Sequence, residues 1–300
     1  MWLAILFKLV SSMAMVVSNA LWKKPIQKES FVNIIAVRAF FSSCLFLGLF
    51  FVVYRFNVLN EQQLLIGSLH QSVSFWMYTV LLIAFSYGGL YYFLKAIESG
   101  KTITVLAPLG GMAQIFSILT AVIFFHEQLA WNRALSILFF MASIFVYYRL
   151  NANKEEVAWR SKTIFYLIIS CIVWGISFTL LVSAIRTVGS LTVGCLTELI
   201  VFSIALLQVK FVRRSILLPK RTTKQYAYFL LMASCIVLGM LLNNISLTLL
   251  PVSMIVLIGL IIEGAYLFIG KWILKETLQK NEWWSFILTT IALLLLVVSF

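Results

Sequence analysis

Two short sequences, HEQLAWN at residues 126–132 and KETLQKN at residues 275–281, decide the fold. Both contain the pattern E-x-L-x-x-N, and each lies between two apolar stretches. Their glutamates, Glu127 and Glu276, are 149 residues apart in a chain of 300 residues. This spacing predicts an internal repeat whose two copies are residues 1–150 and 151–300.

The same offset of 149 residues relates Gln114 to Glu263. Each is a polar residue inside a long apolar stretch, just before one of the two glutamate turns. Two polar residues at matching depths of equivalent stretches support the repeat. We expect Glu127 and Glu276 to cap or brace their turns rather than to contact a solute.

The composition predicts a membrane protein, since 62% of the residues are hydrophobic and only 11% are charged. A soluble domain is about half apolar and about one quarter charged. A soluble enzyme, a disulfide scaffold and a disordered chain are therefore excluded. The apolar residues recur in stretches of about 20, the length of a helix that crosses a bilayer. The predicted spans are 2–21, 31–54, 74–94, 102–125, 130–148, 163–182, 190–208, 226–246, 251–270 and 283–300.

Continuous apolar stretches favour helices over the alternating pattern of a membrane barrel. The fold class is therefore an all-α membrane protein with ten transmembrane helices, five in each half. An odd number of spans per repeat inverts the second copy relative to the first. Such inverted five-helix repeats are typical of secondary transporters.

Several short motifs resemble those of the ten-helix, EamA-like family in the drug/metabolite transporter superfamily. The motifs are AVRAF at residues 36–40 with Arg38 in the second span, YFLKAI at 92–97, the glutamate turns at 127 and 276, and Trp174-Gly175. Their order and spacing follow the family over nearly the whole chain. The prolines depart from it, because Pro108 lies early in the fourth span and Pro251 only begins the ninth.

The resemblance implies a secondary-active permease for a small organic metabolite, working by alternating access without a cofactor. By analogy it implies an exporter of amino acids or related metabolites. The alternative is a flippase for a lipid-linked sugar or a lipid headgroup, which would need a cavity open to the lipid.

Basic residues are concentrated on one side of the predicted topology. Of the 23 lysines and arginines, 18 lie in or beside the connections on one face. The positive-inside rule places that face in the cytoplasm and both termini outside, whereas the resemblance implies cytoplasmic termini. The net charge of +13 therefore indicates lipid headgroups as partners and not nucleic acid. We expect a multi-pass protein of the plasma (inner) membrane, with its first span retained rather than cleaved as a signal peptide.

Four charged residues lie well within predicted spans: Lys8, Arg38, Glu198 and Glu263. A charge at the bilayer centre costs about 2.5–3.5 kcal/mol, so these residues are expected to face the protein interior and to pair. Lys8 and Glu198 lie roughly 10 Å from the face that holds the termini, while Arg38 and Glu263 lie roughly 10–12 Å from the opposite face. We therefore predict two ion pairs, Lys8 with Glu198 and Arg38 with Glu263.

Each candidate has a structural alternative. Lys8 could snorkel to the interface, and Arg38 could anchor its helix to headgroups or a carbonyl. Glu198 and Glu263 could carry a coupling proton or could be permanently paired structural charges. Gln114 could bind solute or a neighbouring helix, and Trp174, near the midplane, is the best aromatic candidate for a cavity wall. The other tryptophans are predicted to form interfacial belts, and Asn243 and Asn244 to bond between helices.

Other functional classes have little support in the sequence. Aspartate is absent, His126 lies in a turn and His70 in a loop, so we expect no metal site and no enzyme activity. The four cysteines show no metal-binding spacing. A phosphate-binding motif G-x-x-x-x-G-K-[ST] is also absent, which argues against an ATP-driven pump.

Overall fold

A computed structural model describes residues 2–26, 28–56, 64–99, 103–128, 131–149, 154–213 and 221–252, with scattered positions between 254 and 295. This part of the chain forms eight α-helices and contains no strand. The helices are α1 (Trp2–Ile26), α2 (Phe31–Phe56), α3 (Val73–Ser99), α4 (Ile103–Phe125), α5 (Trp131–Arg149), α6 (Lys154–Val188), α7 (Ser190–Arg213) and α8 (Thr223–Leu249). The all-helical prediction is confirmed for the described residues.

Six segments of these helices are long and apolar enough to cross a membrane. They are Trp2–Trp22, Phe31–Phe56, Val73–Glu98, Phe165–Val188, Ser190–Phe211 and Thr223–Leu249. They coincide with the first, second, third, sixth, seventh and eighth predicted spans. Helices α4 and α5 coincide with the fourth and fifth. The predicted ninth and tenth spans lie almost wholly outside the described residues, so the count of ten stays a prediction.

The connection between α6 and α7 is shorter than the predicted residues 183–189. Helix α6 continues to Val188, and Gly189 alone separates it from α7. Gly189 has a φ of 91°, a left-handed conformation that glycine adopts without steric cost. The prediction was wrong because polar residues near the end of α6 mark where the apolar stretch ends, while the helical hydrogen bonds continue through them.

The chain divides into two compact units. Unit 1 comprises Met1–Tyr91 and Ser177–Leu250, and unit 2 comprises Tyr92–Ile176 and Pro251–Phe300. Each unit draws on both halves of the sequence, so neither coincides with a predicted repeat. The units are defined by contacts, whereas a repeat is a symmetry between two segments of the chain. The division into units therefore does not test the repeat, which stays a prediction.

Helices α1, α2, α7 and α8 pack together in unit 1, with α1 against α8 and α2 against both α7 and α8. Arg38 contacts Glu198, and Phe46 contacts Gly194. The order of these contacts along α2 is therefore the reverse of their order along α7. These two helices are therefore antiparallel. A Cβ atom at Gly194 would lie 2.6 Å from the Phe46 ring, so the glycine permits the close approach.

Residues 64–69, which we term the strap, hold the α2–α3 connection against the α6–α7 turn. The amides of Gly67 and Ser68 donate to the carbonyls of Val188 and Thr187 at 3.0 and 3.2 Å. In return, the amides at positions 190 and 191 donate to the carbonyls at positions 64 and 65 at 3.0 and 2.9 Å. The side chains at positions 65 and 66 are buried in a cluster that includes residues from α2, α7 and α8. The strap thus joins these elements at one end of unit 1.

Both ends of α8 are stabilised by specific hydrogen bonds. Thr222 and Gln225 form a reciprocal capping box, which satisfies amides that lack helical partners at the N-terminus. At the C-terminus, Arg186 of α6 donates from Nε to the carbonyl of Leu247 at 3.1 Å and from Nη2 to that of Leu250 at 3.3 Å. Arg186, assigned from the sequence to a connection, therefore fixes the end of α8 to the end of α6.

Candidate functional site

An ion pair between α2 and α7 lies at the centre of the candidate site. Arg38 Nη1 lies 2.6 Å from Oε2 and 2.7 Å from Oε1 of Glu198. Both residues are only 2% exposed. Burial of a single charge would be costly, and the opposite charges with their short hydrogen bonds compensate each other. The interior placement predicted for both residues is confirmed.

Ser42 completes the binding of the Glu198 carboxylate. It follows Arg38 by four residues, which places the two side chains on the same face of α2. Its Oγ donates to Glu198 Oε2 at 2.6 Å, and it lies 3.0 Å from the carbonyl of Arg38 as a competing acceptor. The carboxylate is thereby held from two points on α2.

Trp22, near the end of α1, covers the guanidinium of Arg38. The Arg38 Cζ atom lies 5.8 Å from the centroid of the indole ring, within the range of a cation–π interaction. Trp22 is 2% exposed, so its predicted place in an interfacial belt is wrong. A tryptophan at the end of an apolar stretch can face the membrane interface or the protein interior, and the packing of α1 places this one in the interior. We refer to Trp22, Arg38, Ser42 and Glu198 as the Arg38 cluster.

One buried donor of Arg38 has no partner among the described residues. The Nε atom is buried, and the structure contains no acceptor for it among the described residues. Leaving a buried donor unsatisfied costs about 1–3 kcal/mol, and more when the group is charged. Buried polar groups in native proteins are satisfied in the large majority of cases. Nε of Arg38 is one of seven buried side-chain atoms without a partner among the described residues, and Nε of Arg221 is another.

Lys8 lies in a second polar seam, between α1 and α8. Its Nζ donates to Asn243 Oδ1 at 2.7 Å, and the side chain is 8% exposed. Ser11 donates to the carbonyl of Gly239 at 2.7 Å in the same seam. Asn244 donates to the carbonyl of Ser190 at 3.4 Å, so both asparagines bond between helices as predicted. The ammonium of Lys8 is held inside the protein rather than snorkelling.

The predicted pairing of Lys8 with Glu198 is wrong, whereas the predicted pairing of Arg38 with Glu263 stays a prediction. Glu198 pairs with Arg38 and not with Lys8, and the partner predicted for Arg38, Glu263, lies outside the described residues. Depth along a span does not determine which helices are neighbours, and α1 packs against α8. Counted from the Phe46–Gly194 contact, Arg38 and Glu198 differ in depth by about 6 Å, at about 1.5 Å per residue. The long arginine side chain bridges that difference.

The remaining candidates stay predictions. Trp174 is half-buried in unit 2, with its ring centroid 5.2 Å from that of Phe93, and its place in a cavity wall is untested. Gln114 lies in α4, but its side chain is outside the described part of the structure. Glu263 is outside it entirely.

Glu127 braces the chain at the turn, as expected. Its Oε1 accepts a hydrogen bond from the amide of Val252 at 2.8 Å, where a helical turn begins after Pro251. The first amides of a helix lack helical acceptors, and a carboxylate there is favourable. Glu127 therefore supports the fold of unit 2, and this contact gives it no role in binding.

Replacement of Ser42 by alanine is expected to destabilise the protein by about 1.5–3 kcal/mol, the usual contribution of a hydrogen bond to a charged group. Equilibrium unfolding in detergent measures the change. Ser203→Ala is the matched control, because Ser203 is exposed and bonds only to the carbonyl of Leu199 within its own helix, at 2.8 Å. Equal effects of the two substitutions would contradict the role of Ser42 in the cluster.

Comparison with known proteins adds a family and a fold. Residues 161–298 match the sequence model of the EamA-like transporter family, which confirms the resemblance drawn from the sequence. Among solved structures, 22 chains match. One crystal structure, described simply as that of a protein, aligns with a TM-score of 0.73 at 11% identity and covers 99% of this chain and 96% of its own. At that identity the likeness shows the fold alone. No sequence among the curated proteins matches the chain.

Proposed function

We propose that this chain, whose residues 161–298 match the EamA-like transporter family and which is an integral membrane protein, is a member of that family that exports a small organic metabolite by alternating access. The solute is an amino acid or a related metabolite, and the membrane is the plasma (inner) membrane. Transport is secondary-active, with a proton as the coupling ion. Transporters of this superfamily bind small-molecule solutes and are generally not enzymes.

The proposal includes ten spans in two inverted repeats, residues 1–150 and 151–300. Helices α2 and α7 are then the second helices of the two repeats. Inverted topology requires them to be antiparallel, and the contacts of Arg38 and Phe46 with α7 support this.

The Arg38 cluster is the single observation that carries this proposal. If α2 and α7 needed only to adhere, apolar contacts like that of Phe46 with Gly194 would suffice, and a buried ion pair is often no more stabilising than apolar residues of similar size. Charged residues inside membrane spans typically mark solute or ion pathways. Rocking of the two repeats would expose the cluster to each side of the membrane in turn.

Glu198 is the residue to which we assign the coupling proton. In the described state its carboxylate is neutralised by Arg38 and bound by Ser42. A solute carboxylate that binds to Arg38 adds a second negative charge beside its single positive charge, and a proton on Glu198 then keeps the site free of net negative charge. Tyr87 of α3, whose hydroxyl donates to Gln208 Oε1 at 2.6 Å, is a further titratable group within electrostatic range of Arg38.

The proposal predicts that Glu198→Gln abolishes proton-coupled transport while the protein still folds. Proteoliposomes containing the protein are supplied with a mixture of the twenty standard amino acids, with and without a pH gradient, and the contents are analysed by mass spectrometry. The wild type should move at least one component faster with the gradient, and Glu198→Gln should lose most of that transport. Glu98→Gln makes the same chemical change at an exposed position and should behave as the wild type.

Three outcomes would contradict parts of this proposal. Undiminished coupled transport by Glu198→Gln would show that this carboxylate carries no proton. Failure of the wild type to move any component would show that amino acids are not the solutes. Movement of a labelled phospholipid between leaflets in the same vesicles, without amino-acid transport, would indicate the flippase instead.

A further inference from the structure

The guanidinium of Arg38 uses only one end of its donor array. A guanidinium carries five N–H groups in a fixed planar fork. Both oxygens of Glu198 are bound by Nη1 alone. Nε is buried without an acceptor among the described residues, and the hydrogen bonds that the guanidinium donates to them all come from Nη1. The edge formed by Nε and Nη2 is therefore unused by the described residues.

The arrangement of the cluster keeps Glu198 away from that edge. Ser42 donates to Oε2 of the carboxylate and fixes it at the Nη1 end. Trp22 covers a face of the guanidinium, which limits its rotation and its hydration. The protein thus orients an arginine and leaves free the edge that binds planar anions by two parallel hydrogen bonds.

The charge of the cluster limits which anion fits. Arg38 and Glu198 together carry no net charge, so an added dianion such as a phosphate monoester would place two further negative charges beside Glu198. A neutral carbonyl offers a single oxygen to the two parallel donors. A carboxylate carries a single charge, is planar and offers two acceptors at the spacing of the Nε and Nη2 donors.

We infer that the Nε–Nη2 edge of Arg38 binds the carboxylate of the transported solute, with Glu198 and Ser42 as positioning residues that aim the guanidinium. This inference rests on the proposed function. It names Arg38 as the solute's anchor and requires a carboxylate in the solute. Compounds of the same size that lack a carboxylate, such as simple amines, alcohols and amides, are then excluded as solutes.

Thermal unfolding of the purified full chain in detergent tests the inference without a transport assay. The probes are the standard amino acids and short monocarboxylates, each compared with its primary amide at the same concentration. A ligand that binds the folded state raises the Tm. At least one acid should raise the Tm while its amide does not.

Arg38→Lys keeps the positive charge, and with it a partner for Glu198, but removes the planar edge. We expect it to weaken the apparent affinity for that acid about tenfold or more, the loss of a charged hydrogen bond. Arg186→Lys, a change of the same kind at the end of α8, should leave the affinity unchanged. As a second measurement, the acid should alter the tryptophan fluorescence of the wild type, and Trp22→Phe should remove that change.

Three results would overturn the inference: an amide that stabilises as well as its acid, an Arg38→Lys variant with full affinity, or no stabilisation by any acid of the panel. These results are distinguishable from failure of the proposed function. A protein that binds an acid through Arg38 but moves nothing across vesicles contradicts only the transport. A protein that transports solutes lacking a carboxylate contradicts only the inference.

Discussion

Glu198→Met is expected to destabilise the protein by about 3–5 kcal/mol, because it leaves the guanidinium of Arg38 buried without its counter-ion. Arg38→Met should cost a similar amount, since it leaves the carboxylate with Ser42 as its remaining donor. Methionine approximates the length of both side chains and adapts to irregular space, so lost volume contributes little. Equilibrium unfolding in detergent gives the free energy of each variant.

The double variant Arg38→Met/Glu198→Met should be less destabilised than the sum of the two single variants, by several kcal/mol. Removal of both charges leaves none unpaired, and such replacements of buried ion pairs are often neutral or stabilising. This non-additivity is the coupling energy of the pair. The double variant should nevertheless transport nothing, which separates the contribution of the pair to stability from its role in function.

The matched control for this cycle is Glu98→Met, which removes a glutamate from an exposed position at the end of α3. It should change the free energy of unfolding by less than about 0.5 kcal/mol. Additive effects of the two cluster substitutions would contradict the ion pair. A double variant with full transport would leave the pair as a structural contact alone.

The positions of the helices could be predicted from the sequence, because each membrane span must be apolar over a length set by the bilayer. Helix α2 begins at residue 31 in both the prediction and the structure. The extent of α6 could not be predicted in the same way. It begins at Lys154, although the apolar stretch begins near residue 163, since polar residues prolong a helix outside the hydrocarbon at no cost.

Arg38 and Glu198 could be identified because a charge inside an apolar span requires a reason. Their partnership could not, because residue depth is one coordinate and pairing also depends on which helices adjoin. Trp22 illustrates the same limit, since the end of a span can face headgroups or a neighbouring helix. Ser42 carried a weak signal in its spacing of four residues from Arg38, but serine is common inside membrane helices.

Gly189→Ala is expected to destabilise the protein by about 3 kcal/mol or more through the strap. A φ of 91° costs an alanine about 1–3 kcal/mol, and its Cβ would lie 2.4 Å from the carbonyl oxygen of Leu65. The atom it meets is backbone, so the strap must shift. That shift weakens hydrogen bonds worth about 0.5–1.5 kcal/mol each. Gly67→Ala tests the opposite side of the same contact, since its Cβ would lie 2.4 Å from the carbonyl oxygen of Thr187.

Gly48→Ala and Gly88→Ala are the matched controls. Both glycines lie within helices, and an added Cβ would meet nothing within 4 Å. Alanine should be neutral at these positions or stabilise by up to about 1 kcal/mol, because it restricts the unfolded chain. Unfolding in detergent and amide hydrogen exchange at residues 64–69 and 187–191 would report the difference. If all four substitutions behave alike, or if Gly189→Ala leaves exchange in the strap unchanged, the strap does not hold this end of unit 1. If exchange rises only there, the strap is a local lock, and the buried cluster of Leu65 and Ile66 with α2, α7 and α8 depends on it.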